Sequence, residues 1–86
     1  MYSIAQTSDP HALQVTVDAT LMDRGSQSFA SAASAAFSPL ASALFQVAGV
    51  AGVELGRNSI KVTKSAGFEW PSVRPELEKT LSAFFG

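Results

Sequence analysis

Apolar and polar residues alternate in two separated stretches of this chain. Leu13, Val15 and Val17 alternate with Gln14, Thr16 and Asp18. Val53-Glu54-Leu55 and Ile60-Lys61-Val62-Thr63 alternate in the same way on either side of Gly56-Arg57-Asn58-Ser59. A period of two marks a strand with one buried and one wet face. The four-residue loop closes the second stretch into a hairpin, with Val53 opposite Val62, Glu54 opposite Lys61 and Leu55 opposite Ile60. A slip of one residue would bury Glu54 and Lys61, so the pattern fixes its own register. Residues 2–7 read as an earlier strand with Ile4 facing inward. Ser8-Asp9-Pro10-His11 turns it back to run antiparallel to 13–17: Asp9 can bond the backbone ahead, and Pro10 fixes φ.

The pattern changes period between and after these strands. Ser38 can cap a helix and Pro39 can open it, since Pro has no N–H to leave unpaired. Leu40, Ala43, Leu44 and Val47 then recur at helical spacing, which predicts a helix over 39–47. Gly49 suits a left-handed exit. Trp70, Val73, Leu77, Leu81 and Phe84 recur at spacings of three and four and predict a second helix over 71–84. Pro71 fits its first position, whereas Pro75 removes one bond a turn further in. Residues 26–36 are rich in Ser and Ala, with Phe29 and Phe37 as the large anchors; Ser31 can cap a helical turn over 32–36. A further short strand near 27–29 is allowed. The predicted architecture is α+β, a two-layer sandwich of one domain, residues 1–86. An antiparallel sheet of about four strands, built from two hairpins, is covered on one face by two helices and wet on the other.

Composition narrows the function classes. With 86 residues, the chain has room for one small, thin core, which buries roughly 60% of the unfolded surface. Its net stability falls on the order of 4–13 kcal/mol. A formal net charge of −1 argues against a general nucleic-acid binder, which needs a basic surface. The chain has no cysteine, so it can form no disulfide and cannot hold an iron–sulfur cluster through its own thiolates. Its first residues lack the basic start and long apolar run of a secretion signal, and no run of 18 apolar residues predicts a membrane span. Cytoplasm is the default compartment.

Candidate chemistry is sparse. His11 is the only histidine, and metal sites usually need three or four ligands; Asp9, Asp18 and Asp23 do not complete a set. His11 therefore reads as a solvated turn residue. No serine sits in a G-x-S-x-G elbow. The Trp70-to-Phe84 stripe reads as core. Arg57, Lys61 and Lys64 form the one cluster of like charge. They read either as an edge guarded by charge against strand pairing or as a docking patch for an acidic partner. The Gly56-Arg57-Asn58 turn is too short to cradle a nucleotide phosphate.

Several phrases in the chain carry a family likeness. They are Ser38-Pro39-Leu40-Ala41, Ala43-Leu44-Phe45, Gly49-Val50, Ile60-Lys61-Val62-Thr63-Lys64, the tryptophan before the last helix, and Phe84-Phe85 near its end. Together they resemble the N-terminal domain of the Nfu/NifU-type iron–sulfur cluster scaffold proteins. Three family patterns differ here, the first being that the turn over 32–36 lacks the Glu the family usually carries. Ser8-Asp9-Pro10-His11-Ala12 replaces a Pro-Asn-Pro-Asn-Thr type turn, and Arg57-Asn58 replaces a frequent Pro-Asp. The resemblance implies a non-catalytic accessory or protein-interaction domain linked to iron–sulfur cluster assembly or delivery. In that family a separate Cys-x-x-Cys domain holds the cluster, so this chain is expected to bind no cofactor and to meet a cluster only through a partner protein. The expected contact residues are Arg57, Asn58, Lys61 and Lys64, with assembly or recipient proteins as partners. The competing reading is a stand-alone small-ligand or peptide binding module unrelated to iron.

Overall fold

The computed structural model describes residues 2–22, 25–31, 33–36 and 38–85. Asp23, Phe37 and the first residue of the predicted turn at 32–36 lie outside the described residues. Within them, Ser34 donates its backbone N–H to Ser31 Oγ at 3.3 Å, which is the local bond expected of a serine cap.

Five strands form one antiparallel sheet in the order β1-β2-β5-β4-β3. They are β1 (Tyr2–Gln6), β2 (Ala12–Val17), β3 (Gln27–Phe29), β4 (Val50–Leu55) and β5 (Ser59–Lys64). The hairpin register is the one its alternation dictates: Val53 pairs with Val62, Glu54 with Lys61 and Leu55 with Ile60. The short strand allowed near 27–29 does form, and it makes a fifth strand on the outer side of β4. At the start of β4, Val50 pairs with Lys64 while Gly52 pairs with Thr63, so Ala51 is the extra residue of a bulge.

The two helices, α1 (Pro39–Phe45) and α2 (Trp70–Phe85), lie over one face. Leu13, Val15, Val17, Phe29, Val53, Leu55, Ile60 and Val62 share a single buried cluster with Ala41, Leu44, Val73, Leu77 and Leu81. Ser38 caps α1, its Oγ accepting the Ala41 N–H at 3.3 Å, and Pro39 occupies the start of the helix. The helix stops at Phe45, two residues short of the expected end, with Gln46 as its C-cap. Ala41 rather than Ala43 is the small buried residue of this helix. A seven-residue helix leaning on β4 turns the position after Leu40 inward, and Val47 reaches the core from beyond the helix end. Gly49 has φ of +98°. A Cβ there would lie 2.9 Å from the Phe68 ring and from Val73 Cγ2, so conformation and space both require glycine.

In α2, Val73, Leu77 and Leu81 are buried. Phe84 departs from the expected stripe: it is 45% exposed, while Phe85 packs partly against the core. After Leu81, a step of four residues rather than three turns the last aromatic toward the core cluster. Pro75 is accommodated inside the helix.

Candidate docking surface

The face without helices carries mostly polar side chains in register. One row crosses the whole sheet as Ala5, Gln14, Lys61, Glu54 and Ser28. Ser3, Thr16 and Ser59 form a second row. This follows from strand parity, because the alternate positions of each strand go to the core. Two shallow depressions flank the Glu54–Lys61 pair. One, of about 300 Å³, is lined by Ser28, Gly52, Glu54, Lys61 and Thr63 among others. The other, of about 250 Å³, is lined by Gln14, Ser26, Glu54, Ser59 and Lys61 among others.

At one end of this face stands the Arg57-Asn58 turn, with both side chains exposed. Its backbone is held on three sides. Gly56 N–H donates to Ser59 O at 2.8 Å, Val17 N–H donates to Asn58 O at 2.9 Å, and Leu21 N–H donates to Arg57 O at 2.6 Å. The last two bonds tie the turn to the end of β2 and to the connector after it. Arg57 is therefore an exposed side chain on a backbone held by hydrogen bonds.

The basic residues grouped by sequence do not all share this surface. Lys61 is exposed on the bare face. Lys64, three positions on, has the parity of Ile60 and Val62 and is only 8% exposed. A lysine can lie there because its four-carbon stem packs on apolar neighbours. Nor is the hairpin an edge: β5 sits between β2 and β4, through pairs such as Leu13 with Val62 and Val15 with Ile60. Charge guarding an edge therefore does not explain Lys61. The true edges are β1 and β3.

The His11 turn is a well-bonded loop. Asp9 Oδ1 accepts the His11 N–H at 2.9 Å, and His11 Nδ1 lies 3.6 Å from the same carboxylate oxygen. Both side chains are half exposed. No group of three or more His, Cys, Asp or Glu able to hold a metal occurs among the described residues. One feature of this turn had no signal in the sequence. Trp70 Nε1–H donates to Pro10 O at 3.0 Å, fastening the start of α2 to the β1–β2 turn. Periodicity reads the ring as core and is silent on its N–H.

The family described as "Scaffold protein Nfu/NifU N terminal" matches residues 2–86. The chain belongs to the Nfu/NifU N-terminal family. A relative from Drosophila sechellia, named "NFU1 iron-sulfur cluster scaffold homolog, mitochondrial", is 34% identical over 80 residues, which are 92% of this chain and 28% of that protein. "NifU-like protein 5, mitochondrial" of Arabidopsis thaliana is 33% identical over 79 residues, 92% of this chain and 29% of that one. The chain thus spans under a third of the length of the curated relatives it matches. Among solved structures, protein SAV1430 of Staphylococcus aureus superposes with a TM-score of 0.82 at 19% identity, covering 92% of this chain and 94% of that one. A NifU-like protein of Saccharomyces cerevisiae gives 0.77 at 20% identity, covering 96% of this chain and 76% of that one. These two likenesses show the shared fold. No helix among the described residues is long and apolar enough to cross a membrane.

Proposed function

We propose that this Nfu/NifU N-terminal chain is a non-catalytic protein-interaction domain in iron–sulfur cluster assembly or delivery. It docks an acidic surface of an assembly or recipient protein through Arg57, Asn58 and Lys61. The cluster is the partner's cargo, and this chain supplies none of its ligands. The observation that carries the reading is the Arg57-Asn58 turn, which presents a cation and an amide on a backbone fixed by three hydrogen bonds. Such a turn spends little conformational entropy when it docks. Lys64, at 8% exposure, drops out of the contact set that the sequence suggests. The working compartment is read as the cytoplasm, although the matched relatives carry mitochondrial names. Fractionation of the source organism decides between the two.

The Arg57→Glu/Lys61→Glu pair tests the surface. Exposed charges contribute little to stability, about 0–1 kcal/mol each. A glutamate at 61 would face Glu54 across the ladder and cost a further amount of roughly that size, so circular dichroism first checks that the variant keeps the fold. Affinity capture from the source organism, with mass spectrometry, should recover iron–sulfur assembly or recipient proteins with the wild type. The charge-reversed pair should lose them, mainly through a slower, salt-dependent on-rate. Equal recovery by both proteins would refute this surface.

A further inference from the structure

The two edges of the sheet are unlike. β3 is three residues long, too short to template much pairing. β1 is five residues long and keeps an unbroken register with β2. It carries no charged residue, no proline and no bulge. Charge, proline and bulges are three of the devices by which natural edges resist an added strand, and β1 has none of these three.

A hollow of about 250 Å³ opens at the C-terminal end of this edge, lined by Gln6, Thr7, Asp9, Pro10 and Trp70 among others. The bond from Trp70 Nε1–H to Pro10 O, at 3.0 Å, holds the indole there. Asp9 brings a half-exposed carboxylate whose backbone is set by its own N–H bond to Thr7 Oγ1 at 3.1 Å. Asp9 and Trp70 both line the hollow, with Asp9 Oδ1 also accepting the His11 N–H, and a carboxylate near an indole favours a cation, by charge and by ring quadrupole together.

We infer that β1 is a strand-addition site for an extended, basic segment of a partner protein. The segment pairs its backbone with the open edge, and one Lys or Arg side chain seats in the Trp70–Asp9 hollow. This is the recognition mode in which main-chain bonds supply affinity and side-chain pockets supply choice. A second copy of this chain fits less well. Its own β1, YSIAQ, has no cation to offer, so self-pairing would leave the hollow unfilled. The site stands apart from the Arg57 turn: the hollow adjoins Ala12 at the start of β2, and the turn bonds Val17 at its end.

The test is a titration of the full ¹⁵N-labelled chain with two capped peptides of equal length. Both alternate Thr and Val, and one ends in Lys where the other ends in Glu. The Lys peptide should shift the β1 amides and the Trp70 indole N–H, and it should bind at least tenfold tighter than the Glu peptide. Asp9→Asn keeps the Oδ1 acceptor for His11 N–H and should weaken the Lys peptide several-fold without weakening the Glu peptide. Ala5→Lys, which charges the edge, should weaken both. Arg57→Glu should affect neither. Shifts absent from β1 at millimolar peptide would overturn the inference, as would equal affinity for the two peptides. Chain that self-associates through β1 without peptide would also overturn it.

Discussion

Leu44, Leu77 and Leu81 are fully shielded from solvent in the cluster where the two helices cover the sheet. Leu44→Ala or Leu81→Ala each removes buried methyl groups and leaves a cavity, at a cost of about 2–5 kcal/mol. Urea denaturation should show that loss as a lower midpoint with an unchanged slope. A loss below about 0.5 kcal/mol, the scale of surface changes, would mean that the leucine does not fill the core. The inward leucines and valines were legible because burial follows period. Lys64 was not, because its charge suggested solvent and only strand parity places it inside. Phe84 belongs to the core stripe by its spacing and is exposed instead, for a different reason. Adjacent aromatics at a helix end both satisfy a step of three or four from Leu81, and packing on the core cluster decides between them.

Helix α1 is seven residues long, below the length at which a helix holds itself in water. Its cap and its contact with β4 must therefore sustain it. Ser38→Ala deletes the acceptor for the Ala41 N–H and should cost about 1 kcal/mol. Thermal unfolding followed by circular dichroism reads this as a lower Tm, and an unchanged Tm would show that packing alone holds the helix. The three pairs next to the turn of the β4–β5 hairpin were legible, because a slipped register would bury Glu54 and Lys61. The bulge at Ala51 and the run of β4 back to Val50 were not, because Val50-Ala51-Gly52 shows no alternation. Strand β3 was allowed but not demanded, since Gln27-Ser28-Phe29 is too short to show a period. The placement of β5 inside the sheet was hidden as well. Alternation tells which face a strand buries but not which neighbours flank it.

As a whole, the molecule gives its bare sheet face mostly polar side chains and gives the covered face nearly all of its large apolar ones. With no cysteine in the chain, anaerobic reconstitution of the purified protein with iron and sulfide should give no protein-bound chromophore after desalting. A stoichiometric cluster absorption would contradict the proposed division between this chain and its partner. The identity of that partner was not legible, because a neutral, mixed surface encodes contact without naming what it contacts. The strand order also decides how the molecule assembles. Two hairpins, β1–β2 and β4–β5, are each local in the chain, and isolated hairpins close in about 1–10 μs. The central seam, where Val15 meets Ile60, joins their far ends and must await loop closure. Docking of the two hairpins should therefore limit the folding rate. Stopped-flow refolding of Val15→Ala and Ile60→Ala should be slowed nearly in proportion to the stability each loses, whereas Ser38→Ala should refold at the wild-type rate and unfold faster. If the seam variants change only the unfolding rate, the hairpins meet after the barrier, and the two halves of the sheet are joined downstream of the rate-limiting step rather than in it.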